Sequence, residues 1–201
     1  MMQSKKKLIG ITGGTGCGKS MAAQVIREAG YEVLDADQIC REVVLPKRPA
    51  LTEIRNSFGE DIILPDGTLD RKGLGEIVFS DPEKLSVLNR IMFSYVMQET
   101  EERLKNVRGE ICFFDAPLLL EYGLDKRCSA VIAVLADREK RIARIMARDG
   151  LSRENAVLRI NSQNKDEFYL EKSDYVVYNN STKDELSGQI MKIIKKLREM
   201  P

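Results

Sequence analysis

One stretch near the start of the chain limits the possible folds more than any other: Gly13-Gly14-Thr15-Gly16-Cys17-Gly18-Lys19-Ser20. It follows the pattern G-x-x-x-x-G-K-[S/T], with an apolar run at Leu8–Ile11 before it and a helical pattern at Met21–Ala29 after it. The glycines let the backbone turn tightly and aim successive N–H groups into one concavity, backed by the positive end of the following helix. The sequence therefore predicts a strand, a polyphosphate-binding loop and a helix; the alternative is a glycine-rich turn without a ligand.

Two side chains at the end of this loop supply groups that polyphosphate chemistry requires. We expect Lys19 to reach the β- and γ-phosphates of a nucleoside triphosphate, which also makes it a candidate catalytic residue. We expect the Ser20 hydroxyl to ligate the Mg²⁺ that bridges those phosphates. The candidate ATP-binding residues of this region are Gly13, Gly14, Thr15, Gly16, Cys17, Gly18, Lys19, Ser20 and Met21.

The composition restricts the remaining chemistry. The chain contains no histidine, which excludes a Ser-His-Asp or Cys-His nucleophile pair and any metal site with a histidine ligand. Its 32 basic and 31 acidic residues give a formal charge of +1, so nothing indicates binding to nucleic acid or to anionic lipid. Carboxylates, lysine, arginine and a hard cation remain, and these are the groups that carry out phosphoryl transfer.

Cysteine usage and the absence of targeting segments predict a cytoplasmic protein. The four cysteines form no C-x-x-C pair. The basic start of the chain is followed by too short an apolar run for a signal peptide, and no run is long enough for a membrane helix.

Short apolar segments alternate with helical patterns along the chain. The predicted strands are Lys7–Thr12, Tyr31–Asp35, Ile111–Asp115, Ala130–Leu135 and Tyr175–Tyr178. Continuous apolar runs of this length are typical of parallel strands buried on both faces. We therefore predict an α/β fold of the P-loop kinase type, with a five-stranded parallel sheet, helices on both faces, a helical insertion and a lid.

Residues at the carboxyl ends of these strands are candidates for chemistry, because ligands bind there in parallel sheets. Asp37 follows the second strand and could accept the proton of an attacking hydroxyl, an effect typically worth about 10²–10⁴ in rate. Asp115 ends the third strand in the manner of a Walker B aspartate and is expected to hold Mg²⁺ directly or through water. Both aspartates could instead be helix caps. Asn179 follows the last strand and is a candidate for contact with the nucleotide base.

Two further segments complete the predicted organisation. Between Arg41 and Asn106 the pattern is mostly helical, in the position where nucleotide-kinase-like proteins hold their phosphate acceptor. An apolar stripe there is more typical of a core than of a ligand pocket; it consists of Leu85, Leu88, Ile91, Met92, Tyr95 and Val96. The predicted division is 1–37, 106–137 and 170–201 for the nucleotide-binding core, 38–105 for the acceptor-binding insertion and 138–169 for the lid.

Arg141, Arg144 and Arg148 recur at helical spacing in the predicted lid. They could form a solvated basic face, or they could close over the transferring phosphates and neutralise the charge that develops there. On the second interpretation Arg144 and Arg148 are candidate catalytic residues. The side of the helix predicted to be buried carries Ile142, Ile145 and Met146.

Further sequence blocks follow in order over almost the whole chain. They are Ile11 to Ser20, Asp35-Ala36-Asp37 with Arg41, Phe58-Gly59, Asp66-Gly67-x-Leu69-x-Arg71, Pro117-Leu118-Leu119 with Glu121, Arg144 to Arg148, Arg159-Ile160-x-x-Gln163, and Asp174-Tyr175-Val176 with Asn179. This series resembles the dephospho-CoA kinase family. The resemblance implies a phosphotransferase with an alcohol acceptor, which transfers the γ-phosphate of ATP to the ribose 3′-hydroxyl of dephospho-CoA in the last step of coenzyme A synthesis.

The resemblance also implies roles for particular residues. It makes Asp37 the base, places Arg148 and Asn179 at ATP, and implies that the helical insertion holds the acceptor. The implied acceptor-binding residues are Asp37, Arg41, Phe93 and Pro117. The implied partners are the small molecules ATP and dephospho-CoA with Mg²⁺, without nucleic acid or membrane.

The chain departs from the family pattern at a few positions. Phe93-Ser94 stands where the family usually has His-Pro, which keeps open the alternative of a relative with a changed acceptor. Cys17, Met21 and Ser181 replace the usual Ser, Thr and Gly. A nucleotide-dependent switch is the other alternative, but the nearest matches to its motifs, Asn164-Lys165-Asp166-Glu167 and Asp115-Ala116-Pro117-Leu118, lack required residues.

Overall fold

Five strands form one sheet in the computed structural model, which describes residues 6–200. The strands are β1 (Lys7–Thr12), β2 (Val33–Asp35), β3 (Ile111–Asp115), β4 (Ala130–Leu135) and β5 (Tyr175–Tyr178), in the order β2-β3-β1-β4-β5. β1 runs parallel to both of its neighbours, with Ile9 opposite Phe113 on one side and Ala130 on the other. The predicted α/β fold with a five-stranded parallel sheet is confirmed.

This strand order determines where a ligand can bind. The chain leaves β1 toward β2 and β3 on one side of the sheet, and then crosses back to β4 and β5 on the other. Ligands of parallel sheets bind where the connections diverge in this way, at the carboxyl ends of the strands. The glycine-rich loop follows β1 directly, so it lies at that point.

Helices account for most of the remaining residues. They are α1 (Lys19–Glu28), α2 (Ala36–Glu42), α3 (Pro49–Phe58), α4 (Arg71–Phe79), α5 (Pro82–Asn106), α6 (Arg138–Asp149), α7 (Arg153–Asn161), α8 (Asp166–Lys172) and α9 (Lys183–Glu199), with short 3-10 helices at Glu60–Ile62 and Leu124–Arg127. None of the helices described between residues 6 and 200 has the length and apolar character needed to cross a membrane.

The chain divides into two compact units. The sheet unit comprises residues up to Leu34 together with those from Val107 onward, and the helical unit comprises Asp35–Asn106. The core of the sheet unit is built from the apolar faces of β1, β3, β4, α1 and α9; its fully buried members include Ile9, Ile11, Ile26, Phe113, Ile132 and Val134, with Ile190, Ile194 and Leu197 from α9. Burial of these side chains is the main stabilising contribution.

The helical unit is organised around α5, against which α2, α3 and α4 pack. In the predicted apolar stripe, Ile91 and Val96 are buried and the other members are half-buried, so the expectation of a core is supported. Arg103 of α5 donates hydrogen bonds to Glu42 of α2 and to Glu99 on its own helix. The unit therefore has both an apolar core and a charged link between α2 and α5.

Strand β2 begins two residues later than expected, at Val33 rather than Tyr31. The reason is the end of α1, where Gly30 adopts a left-handed conformation with a φ of 87°. The N–H of Tyr31 donates to the carbonyl of Ile26 at 3.2 Å and that of Gly30 to Arg27 at 2.9 Å, which is the Schellman pattern. Tyr31 therefore belongs to the helix terminus and not to the strand.

At the exposed edge of β5, a side chain pairs with the backbone of the last residue. The N–H of Tyr178 donates to Oε1 of Gln189 in α9, and Nε2 of Gln189 donates to the carbonyl of Tyr178, both at 2.9 Å. The glutamine amide thus makes the two hydrogen bonds that a neighbouring strand would make. At the opposite edge, β2 is only three residues long.

Candidate active site

The loop between β1 and α1 has the backbone conformation that its glycines predict. Gly13, Gly16 and Gly18 all have positive φ, at 144°, 77° and 87°. A Cβ on Gly13 would overlap the backbone carbonyl of Val134, and one on Gly18 would overlap the side chain of Asn179. α1 begins at Lys19, two residues earlier than expected, because the carbonyl of Gly18 accepts hydrogen bonds from Met21 and Ala22. The helix N-terminus therefore starts inside the loop motif, where it favours a bound anion.

Lys19 and Asp115 form an ion pair beside this loop. Lys19 Nζ lies 2.9 Å from Oδ1 of Asp115, and the two side chains are only 15% and 13% exposed. The pairing of β1 with β3 explains this proximity, because Ile11 lies opposite Asp115. Ser20 lies one residue further on and is exposed. A hydroxyl and a carboxylate are hard oxygen donors that fit Mg²⁺, although the residues described form no cluster of three or more acidic, cysteine or histidine ligands.

Arg144 lies against the outer side of the loop. Its Nη1 donates to the carbonyl oxygens of Gly16 and Cys17 at 3.3 Å, and its Nη2 donates to the carbonyl of Asn179 at 2.8 Å. Arg148, one turn later, is exposed and bonds to Asp149 at 2.8 and 2.9 Å. This contact raises the pKa of Arg148 and lowers that of Asp149.

The three arginines that were expected along one face of α6 differ in exposure. Arg141 is 4% exposed and anchored in the interior, whereas Arg148 is exposed, so the three side chains have different environments. Met146, which was expected to be buried, is 36% exposed. The buried face of α6 instead carries Arg141, Ile142 and Ile145.

Asn179 is 1% exposed and lies directly behind the loop. Its Nδ2 donates to the carbonyl of Cys17 at 3.0 Å, while its buried Oδ1 has no hydrogen-bond partner among residues 6–200. Cys17 itself is fully buried in the core of the sheet unit, and this burial raises the pKa of its thiol. The residue that replaces the usual serine of the loop therefore contributes packing and backbone groups.

The candidate residues of the helical unit lie on α2 and α5. Asp35 is the N-cap of α2, accepting a hydrogen bond from the N–H of Gln38 at 2.9 Å, so the capping interpretation applies to Asp35. Asp37 and Arg41 are both exposed and are four residues apart on the same helix, which places them on one face. Phe93 is half-buried in the middle of α5.

Several residues near the loop make contacts that the sequence did not predict. The hydroxyl of Thr12, which is fully buried, donates to the carbonyl of Pro117 at 3.3 Å and so ties the segment after β3 to β1. Gln163 and Asp166 contact Thr15 and Arg141 respectively. Gln163 stood in a recognised sequence block without a role. Because these partners are separated by up to 148 residues, no local pattern signals the contacts.

The strand order, the glycine-rich loop after β1 and the aspartate at the end of β3 together define a P-loop kinase fold. A shikimate kinase from Acinetobacter baumannii shares this fold with a TM-score of 0.52 at 17% identity, covering 98% of this chain and 95% of that one. A sequence model of the dephospho-CoA kinase family matches residues 7–185. The chain therefore belongs to the dephospho-CoA kinase family.

Individual relatives agree with this assignment. Proteins named dephospho-CoA kinase from Corynebacterium glutamicum and Listeria monocytogenes are 38% and 39% identical, each over 94% of this chain and 96% of its own length. The structure of TT1252 from Thermus thermophilus has a TM-score of 0.82 at 32% identity, covering 98% and 99% of the two chains. Dephospho-CoA kinase from Campylobacter jejuni has a TM-score of 0.66 at 27% identity, covering 96% and 97%.

Proposed function

We propose that this chain transfers the γ-phosphate of ATP to the 3′-hydroxyl of dephospho-CoA, the last step of coenzyme A synthesis. Membership of the dephospho-CoA kinase family over residues 7–185 is the observation that carries the proposal. The loop after β1 supplies the backbone N–H groups and the helix N-terminus that a triphosphate requires. Carboxylates, lysine and arginine supply the rest, since the chain has no histidine.

In this mechanism the loop and Lys19 bind the β- and γ-phosphates, and Asp37 accepts the proton of the 3′-hydroxyl. The alcohol oxygen forms a bond to the γ-phosphorus as the bond to the β,γ-bridging oxygen breaks, and ADP leaves with that oxygen. Lys19 and the arginines Arg144 and Arg148 neutralise the charge that builds up on the transferred group. Arg41, Phe93 and Pro117 are proposed to contact the acceptor.

Ser20 and Asp115 would hold a Mg²⁺ ion bound to the nucleotide. The ion supplies positive charge that stabilises the phosphate oxygens during transfer. Both donors are oxygen atoms near the loop, and Mg²⁺ usually takes only one or two protein ligands, with phosphates and waters completing its octahedron.

The activity is tested by incubating the protein with Mg·ATP and dephospho-CoA and weighing the products by mass spectrometry. CoA with ADP supports the proposal. ADP without CoA would show a changed acceptor, the alternative that Phe93-Ser94 favours. Preference for GTP without transfer to an acceptor would indicate a switch.

The role of Asp37 is tested by Asp37→Asn. We expect the variant to fold and to bind ATP. Its turnover should fall by a factor of about 10²–10⁴, because the hydroxyl loses its base. Asp61→Asn, which removes an exposed charge elsewhere in the helical unit, is the control and should retain full turnover. Near-normal turnover in Asp37→Asn would refute the assignment.

We also propose a reducing compartment such as the cytoplasm, because Cys17, Cys40, Cys112 and Cys128 are all free thiols. Alkylation of denatured protein purified without reductant should modify four thiols per chain. Fewer modified thiols would argue for an oxidising compartment.

A further inference from the structure

Two side chains hold the backbone of Thr15 in the middle of the loop. The N–H of Thr15 donates to Oε1 of Gln163 at 2.7 Å, and its carbonyl accepts from Nε of Arg141 at 3.0 Å. These two groups belong to the two peptide planes that flank the Thr15 Cα. Fixing both planes fixes the φ and ψ of this residue, and with them the course of the loop.

Arg141 is buried more deeply than its charge alone would favour. Its side chain is 5% exposed, and Nη1 donates to Oδ1 of Asp166 at 3.0 Å. Nη2 is buried and has no hydrogen-bond partner among the residues that the structure describes. Burying a guanidinium with an unsatisfied donor costs free energy. The stability of the fold therefore does not by itself explain this placement.

The loop fits closely against Arg141. A Cβ on Gly14 would lie 2.6 Å from Nη2 of Arg141, and a Cβ on Gly16 would lie 2.8 Å from its backbone carbonyl. A Cβ on Gly16 would meet backbone atoms, so this position requires glycine for the loop to lie against α6, whereas a Cβ on Gly14 would have to displace the end of the Arg141 side chain. The loop and the first turns of α6 therefore pack closely against each other.

The guanidinium also affects the peptide group that it binds. In a trans peptide the C=O and the N–H point in opposite directions, so the N–H of Gly16 points away from Arg141. A cation at the carbonyl end polarises the peptide and strengthens its N–H as a donor. Arg144 binds the carbonyls of Gly16 and Cys17 in the same way. Arg141 and Arg144 thus contact the loop at carbonyl oxygens, and Gln163 contacts it at the N–H of Thr15.

We propose that Arg141, Gln163 and Asp166, here named the Thr15 clamp, are positioning residues that hold the loop in its triphosphate-binding conformation. Arg141 and Gln163 act on the backbone of Thr15, and Asp166 acts through Arg141. The clamp rests on one part of the proposed function, namely that ATP is the ligand of the loop. It does not depend on which acceptor is phosphorylated.

The test compares Arg141→Met and Gln163→Leu with the wild-type chain. The affinity for a non-hydrolysable Mg·ATP analogue is measured by calorimetry, and KM is measured for each substrate. Each variant should weaken analogue binding and raise the KM for ATP by at least about tenfold, the effect of one charge-assisted or buried hydrogen bond. The KM for dephospho-CoA should not change. Arg138→Met, which removes an arginine one turn earlier on α6 that bonds to Asn161, is the matched control and should bind the analogue like the wild type.

A purely structural role predicts a different result. It would lower the fraction of active protein, and hence the apparent kcat and the binding stoichiometry, while leaving KM and analogue affinity unchanged. That outcome in both variants would overturn the clamp. Gln163→Leu keeps the test decisive should Arg141→Met fail to fold, because Gln163 is only partly buried and uncharged.

The path through Asp166 is tested by Asp166→Asn. This change should weaken analogue binding in the wild-type background but have no further effect in Arg141→Met. Equal effects in both backgrounds would show that Asp166 acts independently and would overturn its place in the clamp. If the wild type binds the analogue but makes no CoA, the acceptor assignment fails while the binding measurements still decide on the clamp. If the wild type does not bind the analogue, both proposals fail.

Discussion

At the scale of single residues, Gly18 combines a left-handed backbone with the shortest contact that an added Cβ would make in the loop. Its φ of 87° is a conformation that side chains disfavour, and a Cβ would overlap the amide of Asn179. Asn179 in turn donates to the carbonyl of Cys17 and accepts at its own carbonyl from Arg144. A side chain at position 18 would therefore displace a residue that supports the loop from behind.

We expect Gly18→Ala to lose stability by more than the roughly 1–2 kcal/mol of left-handed backbone strain, and to lose ATP binding. Gly150→Ala is the matched control, because Gly150 has a φ of 65° but open space around its Cα. Urea unfolding of both variants separates the strain from the overlap. Equal losses in the two variants would show that Asn179 moves aside freely.

Asp115 has its own prediction at this scale. We expect Asp115→Asn to raise the Mg²⁺ concentration needed for half-maximal activity by about 10-fold to 100-fold, because a neutral amide binds a hard cation less tightly. The same change releases Lys19 from its 2.9 Å ion pair. Asp184→Asn, at an exposed position of α9, serves as the charge control. An unchanged Mg²⁺ dependence would exclude Asp115 as a ligand.

At the scale of elements, two of the recognised sequence blocks contain an aspartate that holds backbone in place. Oδ1 of Asp66 accepts hydrogen bonds from the N–H and the hydroxyl of Thr68 at 2.9 and 2.6 Å, which closes the turn at Gly67. Asp174 accepts from the N–H of Val131 at 2.8 Å and so fixes the start of β4 beside β5. Both aspartates therefore position backbone.

Two glycines at the helices α1 and α9 allow a comparison of backbone effects alone. Gly188 lies inside α9 and Gly30 follows α1 in the left-handed conformation, and neither has an atom within 4 Å of an added Cβ. Gly188→Ala should stabilise the protein by about 0.5–1 kcal/mol, since alanine is the better helix former. Gly30→Ala should destabilise it by roughly 1–2 kcal/mol. Denaturant unfolding measures both; a stabilising Gly30→Ala would contradict the described helix end.

At the scale of the whole molecule, the absence of histidine limits which side chains can change charge near neutral pH. Burial raises the pKa of Cys112 to about 11 and that of Cys128 to about 12, and it also raises the pKa of Cys17 and Cys40. None of these thiols ionises near neutrality. Glu42 behaves oppositely, because its hydrogen bond from Arg103 lowers its pKa.

We therefore expect the free energy of unfolding to be nearly constant between about pH 6 and pH 8. A carboxylate with a lowered folded pKa contributes stability above its unfolded pKa, about 4.3 for glutamate, and this contribution is lost as the pH falls through the folded pKa. Stability should thus decline only in acid. Urea titrations across this range test the expectation, and a marked slope between pH 6 and pH 8 would contradict it. Glu42→Gln should reduce the decline in the free energy of unfolding at acid pH.

The sequence predicted the sheet far better than the environment of the site. The bounds of β1, β3, β4 and β5 were all predicted correctly, because buried parallel strands leave continuous apolar runs. The burial of Arg141 was not, since helical spacing gives the relative directions of side chains but not the surface that they meet. Gln163 meets Thr15 only through tertiary packing.

The two sheet edges have a consequence for association. A strand from another molecule needs a row of free N–H and C=O groups on which to add. At Tyr178 that row is already satisfied by Gln189, and β2 offers just three residues. A strand could therefore add at Tyr178 only by displacing Gln189, and Gln189→Ala would expose the two backbone groups that the glutamine covers.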